Sequence, residues 1–217
     1  MYLEILNDIL GYSGIGSSLL PILIIFKQNL CRSQIKYPKI IFVLSLFYAV
    51  FNLIILIFYL YYPIYEEALI KLYSIIEFLL ITFFYSRIIQ NIQLKKALTL
   101  ISSIYSASIL LYFFYFEIND NFLFLNIFQK VFLLVISLYY LHEIYNSRVS
   151  ENLYDLPYFW CNTAILVFNA STIYISIFEN ILRNDKVQIF YVLWPILQIS
   201  GIAYYVLFSI GIWKLKD

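Results

Sequence analysis

Charge is scarce in this sequence. Only 12% of its 217 residues are Asp, Glu, Lys or Arg, about half the ~25% of an average soluble domain. Hydrophobic residues make up 63%, and the mean hydropathy is +0.84. A soluble fold of this length could not hide so much apolar surface, because many residues of any globule must face water. The composition therefore excludes an ordinary soluble domain, and a net charge of +1 gives a nucleic-acid-binding function no support.

Histidine and cysteine are also rare, which removes most metal and redox chemistry. The single histidine, His142, stands in LHEIYNS, where an HExxH zinc motif would need a second one. The sequence contains no G-x-S-x-G, P-loop or CxxC motif. Cys31 and Cys161 are both predicted on the cytoplasmic side, where thiols stay reduced. We therefore expect no disulfide, no metal, no cofactor and no enzymatic activity.

Long apolar runs are what the sequence has in abundance. Transmembrane helices need about 20 apolar residues, and seven segments qualify: 3–26, 40–62, 68–90, 97–116, 122–141, 157–178 and 188–213. Gly14 and Ser18 form a small-xxx-small pair that allows close helix packing. Pro21 and Pro195 are expected to bend the first and seventh segments. The prediction is an all-α bundle of seven transmembrane helices, with residues 1–217 as one domain.

Positive charges are unevenly shared between the loops. The basic side holds Lys27, Arg32, Lys36, Lys39, Lys95, Lys96, Lys214 and Lys216, and the alternate loops hold Glu66, Glu67, Glu117, Asp120 and a mixed set between Glu179 and Lys186. Short cytoplasmic loops carry an excess of Lys and Arg. The amino terminus is therefore predicted outside and the carboxyl terminus in the cytoplasm. The loop 142–156 is predicted to be a cytoplasmic surface helix or a docking site, although it is rich in acids.

Five polar side chains interrupt the apolar segments at one depth. Counted from the predicted outer end of each helix, they lie on the order of 15–18 Å deep, near the middle of a hydrocarbon core about 30 Å thick. An isolated charge there costs several kcal/mol, so a partner is expected. We predict that the acid and the base pair inside the bundle, which would make the third and fifth segments neighbours. The five are Asn52, Glu77, Lys130, Asn169 and Gln198.

Two interpretations of this polar layer remain open. The five residues are predicted to bind a ligand or to form a conformational switch. Alternatively, Glu77 and Lys130 form a static ion pair, or Lys130 extends towards the headgroups while Glu77 is protonated. The three amides would then only hold helices together. The sequence does not distinguish a switch from a clamp.

Three stretches resemble a family of uncharacterised bacterial seven-helix membrane proteins. They are YSIIEFLLITFFYSRII (73–89), LPYFWCNTAILVF (156–168) and LWPILQISGIAYYVLFSIGIWK (193–214). In that family a tyrosine and an IEF-like acid mark the third helix, a P-x-F-W-x-N-T step opens the sixth, and an LW…LFAIGIW-like run ends the chain. The step is present here as Pro157, Phe159, Trp160, Asn162 and Thr163. The resemblance implies a seven-helix fold in the bacterial inner membrane, with no established activity.

The first segment resembles a different family. LGYSGIGSSLLPILIIFKQN (10–29) is similar to the first helix of PQ-loop sugar transporters of the SWEET type. Those have seven helices with the amino terminus outside, built as two three-helix repeats and a linker. This chain departs from that pattern, since Ile22 rather than Gln follows Pro21, and residues 122–213 show no second copy of 3–90.

These observations favour a membrane sensor or signalling component. Its expected partners are the lipid bilayer and a separate cytoplasmic signalling protein, with no nucleic acid. A small apolar or amphiphilic ligand would bind among the helices. A small-solute or lipid transporter of SWEET-like topology is one alternative, and a structural subunit of a membrane complex is the other.

Overall fold

A computed structural model describes residues 2–31, 39–62, 66–115, 122–147, 152–184 and 188–215. No strand occurs in these ranges, so the described chain is all-α, as predicted. The helices are α1 (Tyr2–Ser18), α2 (Leu20–Cys31), α3 (Lys39–Tyr61), α4 (Glu66–Ile88), α5 (Ile92–Tyr115), α6 (Phe122–Ser147), α7 (Pro157–Asn184) and α8 (Gln188–Trp213), with a 3-10 turn at Leu153–Asp155.

Six spans in this part of the chain are long and apolar enough to cross a membrane. They are Ile9–Gln28 (which combines α1 and α2), Ile40–Tyr61, Leu69–Ile88, Phe124–Ser147, Pro157–Ile177 and Trp194–Trp213. Many large apolar side chains point outward from them, such as Phe124 and Val135 on α6. In a bilayer these side chains contact acyl chains without a free-energy cost, whereas in water they would form exposed apolar patches that promote aggregation. By length and composition the chain is a multi-pass membrane protein.

The first predicted segment is divided into two helices. α1 and α2 meet at Leu19, whose N–H bonds to the carbonyl of Gly16 at 3.2 Å instead of continuing the α-helical pattern. Pro21 explains the break, because it has no N–H to donate and its ring crowds the carbonyl of Ser17, four residues earlier. By contrast, α8 runs through Pro195 as one helix.

Two loops are shorter than the apolar pattern predicts. α5 begins at Ile92, five residues before the predicted segment, because Asn91 caps it. The Asn91 Oδ1 accepts from the N–H groups of Gln93 at 2.9 Å and Leu94 at 3.2 Å. α6 continues to Ser147, so the first part of the predicted loop 142–156 is helical.

The six spanning elements form a closed ring. α3 packs on α4, α4 on α6, α6 on α7, α7 on α8, and α8 on both α1 and α2, which return to α3. α5, the fourth predicted segment, packs on α4. The third and fifth predicted segments, α4 and α6, are therefore neighbours. They carry Glu77 and Lys130.

One end of the bundle, called here the Trp213 end, is joined by polar contacts. Lys214 forms a 3.1 Å salt bridge with Asp155, which links the end of α8 to the turn before α7. Gln28 donates to the carbonyl of Trp213 at 3.2 Å, and Lys27 lies 5.8 Å from the Trp213 ring. Of the charges that predict orientation, Arg32, Lys36, Glu117, Asp120, Asp185, Lys186 and Lys216 lie outside the described residues.

Candidate functional site

Glu77 lies inside the ring of helices and is 7% exposed. Tyr73, one helical turn earlier on α4, donates to the Glu77 Oε1 at 3.4 Å. Tyr48 on α3 also interacts electrostatically with this carboxylate. Tyr204 and Tyr205 on α8 complete a group of four tyrosines around the acid. We call Glu77 and these four tyrosines the Glu77 cluster.

A first chain of polar contacts reaches Glu77 from Asn52 on α3. The Asn52 Nδ2 donates to the Tyr205 hydroxyl at 2.9 Å and to the carbonyl of Tyr48 at 2.7 Å. A carbonyl can only accept, so the second bond fixes which amide atom is the nitrogen. Tyr205 in turn interacts with Tyr73, whose hydroxyl donates to Glu77. In this chain, the donors of the first and last bonds are the Asn52 amide and the Tyr73 hydroxyl.

A second chain arrives from α8. The Tyr204 hydroxyl donates to the Tyr48 hydroxyl, and Tyr48 interacts electrostatically with Glu77. The Tyr48 ring packs edge-on against Tyr204 at 5.2 Å and against Tyr205 at 5.6 Å between ring centroids. Edge-to-face packing of this kind is the favoured aromatic geometry. The rings thus hold the hydroxyls in place around the acid.

Lys130 brings a positive charge towards Glu77 from α6. The lysine is half-buried, and its ammonium group is attracted electrostatically by the Glu77 carboxylate. The Nζ atom donates to the Thr172 Oγ1 at 2.9 Å and lies 5.4 Å from the centroid of the Phe168 ring. Both of these partners belong to α7. Lys130 therefore ties α6 to α7 while its charge acts on α4.

The other two members of the predicted polar layer contact other groups. Asn169 is buried on α7, and its Nδ2 donates to the Ile165 carbonyl of the same helix at 2.8 Å. Gln198 on α8 packs against α1, where its Oε1 would lie 2.7 Å from a Cβ placed on Gly14. The structure thus brings Asn52, Glu77 and Lys130 into one network, with Gln198 directed to the α1 contact.

None of the four tyrosines was predicted as a site residue, although Tyr73 opens the stretch YSIIEF that carries the family resemblance. With 22 tyrosines in the chain, composition could not single out four. The spacing of Tyr73 and Glu77 was the usable signal, since residues four apart share a helix face. Gln129, the residue before Lys130, was also overlooked. It is buried, accepts from Ser74 at 2.9 Å and from Tyr105 at 3.0 Å, and so joins α4, α5 and α6.

A third buried network lies closer to the Trp213 end. The Tyr85 hydroxyl bonds to the Ser137 Oγ at 2.7 Å and donates to the Asn162 Oδ1 at 2.6 Å. The Asn162 Nδ2 donates to the Ser137 carbonyl at 3.2 Å. Asn162 belongs to the P-x-F-W-x-N-T step, and here it links α7 to α4 and α6. Cys161, the residue before Asn162, is a buried free thiol. The Cys31 side chain lies outside the described residues.

The Glu77 cluster presents one carboxylate to several hydroxyl donors and one ammonium. Within the described residues, no three His, Cys, Asp or Glu side chains are grouped so as to hold a metal ion. Lys71, also on α4, is a second buried charged residue. Comparison with protein-family models, curated proteins and solved structures found no match to this chain. Function therefore has to be inferred from the cluster itself.

Proposed function

We propose that this protein is a membrane sensor that binds a small amphiphilic ligand at the Glu77 cluster and signals to a separate cytoplasmic protein. The observation that carries the proposal is a buried carboxylate contacted from α3 and α4, linked through tyrosines to α8, and attracted by a lysine of α6. Ionisable groups inside a membrane are costly and are retained mainly where they act. A ligand that alters one carboxylate would change contacts among four helices.

A path for the signal runs from the cluster to the Trp213 end. α8 carries Tyr204 and Tyr205 in the cluster, and its far end is bonded to Gln28 and Asp155. A shift of α8 against α3 would therefore alter contacts both in the cluster and at the Trp213 end. This arrangement supports a relay along one helix to a partner at the predicted cytoplasmic surface.

We further propose seven spans, with α5 as the seventh, the amino terminus outside and the bacterial inner membrane as the location. Tyr62 follows the end of α3 and Gln90 follows the end of α4, and both side chains are exposed. Because α3 and α4 are consecutive spans, the two residues lie at opposite ends of the bundle. In a Cys31→Ser background, Tyr62→Cys is expected to react with an impermeant maleimide in intact cells. Gln90→Cys is expected to react only after the cells are opened. The reverse pattern would overturn the orientation.

The sensor proposal is tested by native mass spectrometry of protein released from its own membrane. The wild type is expected to retain a small amphiphile that Glu77→Gln loses. Glu143→Gln is the matched control, because it makes the same acid-to-amide change outside the cluster. Glu143 lies near the carboxyl end of α6 and accepts from the Gln90 N–H. Loss of the amphiphile from both variants, or from neither, would contradict binding at the cluster.

A transporter is the second candidate, and the position of α5 favours it. SWEET-type transporters consist of two three-helix units joined by a linker helix, and here α5 packs on α4 while the other spans close a ring. The deciding experiment is solute flux into proteoliposomes. Substrate-dependent uptake that Glu77→Gln abolishes and Glu143→Gln preserves would replace the sensor with a transporter.

A further inference from the structure

The surroundings of the Lys130 ammonium are those of a binding site for a protonated amine. A ring face, a hydroxyl acceptor and a carboxylate counter-ion together recognise an ammonium group. Phe168 supplies the ring at 5.4 Å, Thr172 supplies the hydroxyl at 2.9 Å, and Glu77 supplies the negative charge. None of the three belongs to α6, the helix that carries the lysine.

The hydrogen atoms in this region are directed so that the site accepts rather than donates. The Thr172 hydroxyl donates to the Phe168 carbonyl at 2.8 Å, which leaves its lone pairs for an incoming N–H group. Around Glu77, the Tyr73 hydroxyl donates to the carboxylate. A ligand carboxylate would meet the negative charge of Glu77, whereas an ammonium would find acceptors.

The Lys130 ammonium occupies this site in the structure and is the group that a ligand can displace. Its side chain is half-buried, unlike that of Glu77, and its four-carbon stem can carry the charge along apolar surface. We propose that the ligand of the Glu77 cluster is a small amphiphile with a primary ammonium head, which replaces the Lys130 ammonium between Glu77, Phe168 and Thr172. This inference rests on the proposed function and names the ligand class of the same site.

Displacement would release the link between α6 and α7. With the ligand ammonium on Thr172, the Lys130 bond to α7 is lost while the charge near Glu77 stays balanced. The exchange therefore avoids an unpaired buried carboxylate, which would be costly in lipid. The change passes to the contact between two neighbouring helices of the ring.

Chemical rescue tests the proposal. Lys130→Ala is placed in nanodiscs of phosphatidylcholine and phosphatidylglycerol, which contain no primary amine. Its melting temperature is expected to fall below that of the wild type and to recover with added dodecylamine. Dodecanol and dodecanoate, matched in chain but neutral or anionic, are expected to have no such effect. The variant is expected to bind dodecylamine at least about tenfold more tightly than the wild type, whose lysine competes.

Two further arms identify the site and the source of the amine. Adding Glu77→Gln to Lys130→Ala is expected to abolish the rescue, while Lys96→Ala, an exposed lysine of α5, is expected to show no response to the amine. Nanodiscs with phosphatidylethanolamine separate the two sources of a primary ammonium. Rescue by that lipid alone assigns the head to a membrane lipid, and rescue only by dodecylamine assigns it to a free amine.

Equal rescue by dodecanol or dodecanoate would overturn the ammonium assignment. If Lys130→Ala does not fold, Lys130→Met, which keeps the apolar stem, is used in the same experiments. Saturable dodecylamine binding to the wild type but not to Glu77→Gln provides a second measurement. If native mass spectrometry finds a Glu77-dependent amphiphile without an amino group, the amine assignment is wrong while the sensor proposal stands. If dodecylamine rescues Lys130→Ala but the wild type retains no native amphiphile, the sensor proposal is wrong while the amine site stands.

Discussion

The Asn52 amide on α3 donates to the Tyr205 hydroxyl on α8 at 2.9 Å. Since the same nitrogen also donates to a backbone carbonyl at 2.7 Å, the Tyr205 oxygen must act as the acceptor. Tyr205 also interacts with Tyr73, whose hydroxyl donates to the Glu77 Oε1 at 3.4 Å. Asn52 is therefore the donor in the contact between α3 and α8 beside the Glu77 carboxylate.

Asn52→Leu is expected to lower the free energy of unfolding by about 0.5–2 kcal/mol, the range of hydrogen bonds between membrane helices. The substitution keeps the side-chain size while it removes the donor to Tyr205. Denaturation by SDS in mixed micelles measures the change. Asn146→Leu, an exposed asparagine on α6, is the control and is expected to change stability little. Additive effects of Asn52→Leu and Tyr205→Phe would show that the bond between them contributes nothing.

Gly211 is required by the close approach of α7 and α8. A Cβ at this position would lie 2.6 Å from the Cys161 Sγ and 2.9 Å from the Pro157 carbonyl oxygen. The second contact is with backbone, so a side-chain rotation cannot relieve it. Gly211→Ala is therefore expected to cost about 1–3 kcal/mol through overpacking.

Gly201 on the same helix provides the matched control. A Cβ there meets nothing within 4 Å. Gly201→Ala is expected to be neutral or to stabilise α8 by up to about 1 kcal/mol through helix propensity. Melting temperatures in one detergent compare the two variants. Equal effects of both would mean that the close contact does not limit packing at Gly211.

The extent of a helix was easier to predict than the direction of its side chains. α8 has the predicted bounds, Gln188–Trp213, while the common depth of Glu77 and Lys130 stays a prediction. Direction is harder, because each residue turns by about 100° around the helix axis. Gln198 was accordingly predicted in the same layer, yet it faces Gly14 on α1. Which side faces the core depends on the order of helices in the ring, which no local pattern contains.

Boundaries were missed where polar residues continue a helix. Apolar windows stop at charge, so α6 was predicted to end before His142, although its backbone bonding continues to Ser147. The break at Leu19 was predicted only as a bend near Pro21. Because proline affects the carbonyl four residues earlier as well as its own nitrogen, the disruption begins before the proline itself.

Tyr85 is predicted to stabilise the junction of α4, α6 and α7. Tyr85→Phe removes the hydroxyl that contacts Ser137 and Asn162, and leaves the Asn162 Oδ1 without this donor in a buried site. The expected loss is about 1–3 kcal/mol, as for other buried groups left unsatisfied. Thermal unfolding measures it against Tyr145→Phe, an exposed tyrosine of α6. A larger loss for the exposed tyrosine would contradict this role for the network.

The attraction between Glu77 and Lys130 is tested by a double-mutant cycle. Glu77→Gln and Lys130→Met are expected to be coupled by more than about 0.5 kcal/mol, since groups in one electrostatic network are not additive. Each single change leaves an uncompensated charge in the ring, and the double change removes both. The stability of all four proteins is measured in the same micelles.

A second cycle guards against an unspecific effect of charge. It combines Glu77→Gln with Lys96→Met, which removes a lysine exposed on α5. Because a solvated or headgroup-facing charge is strongly screened, its coupling to Glu77 is expected to be near zero. Independent effects in the first cycle would show that Lys130 does not compensate Glu77. The lysine would then be bound by Thr172 and Phe168 alone, and its exchange for a ligand ammonium would gain nothing from the carboxylate.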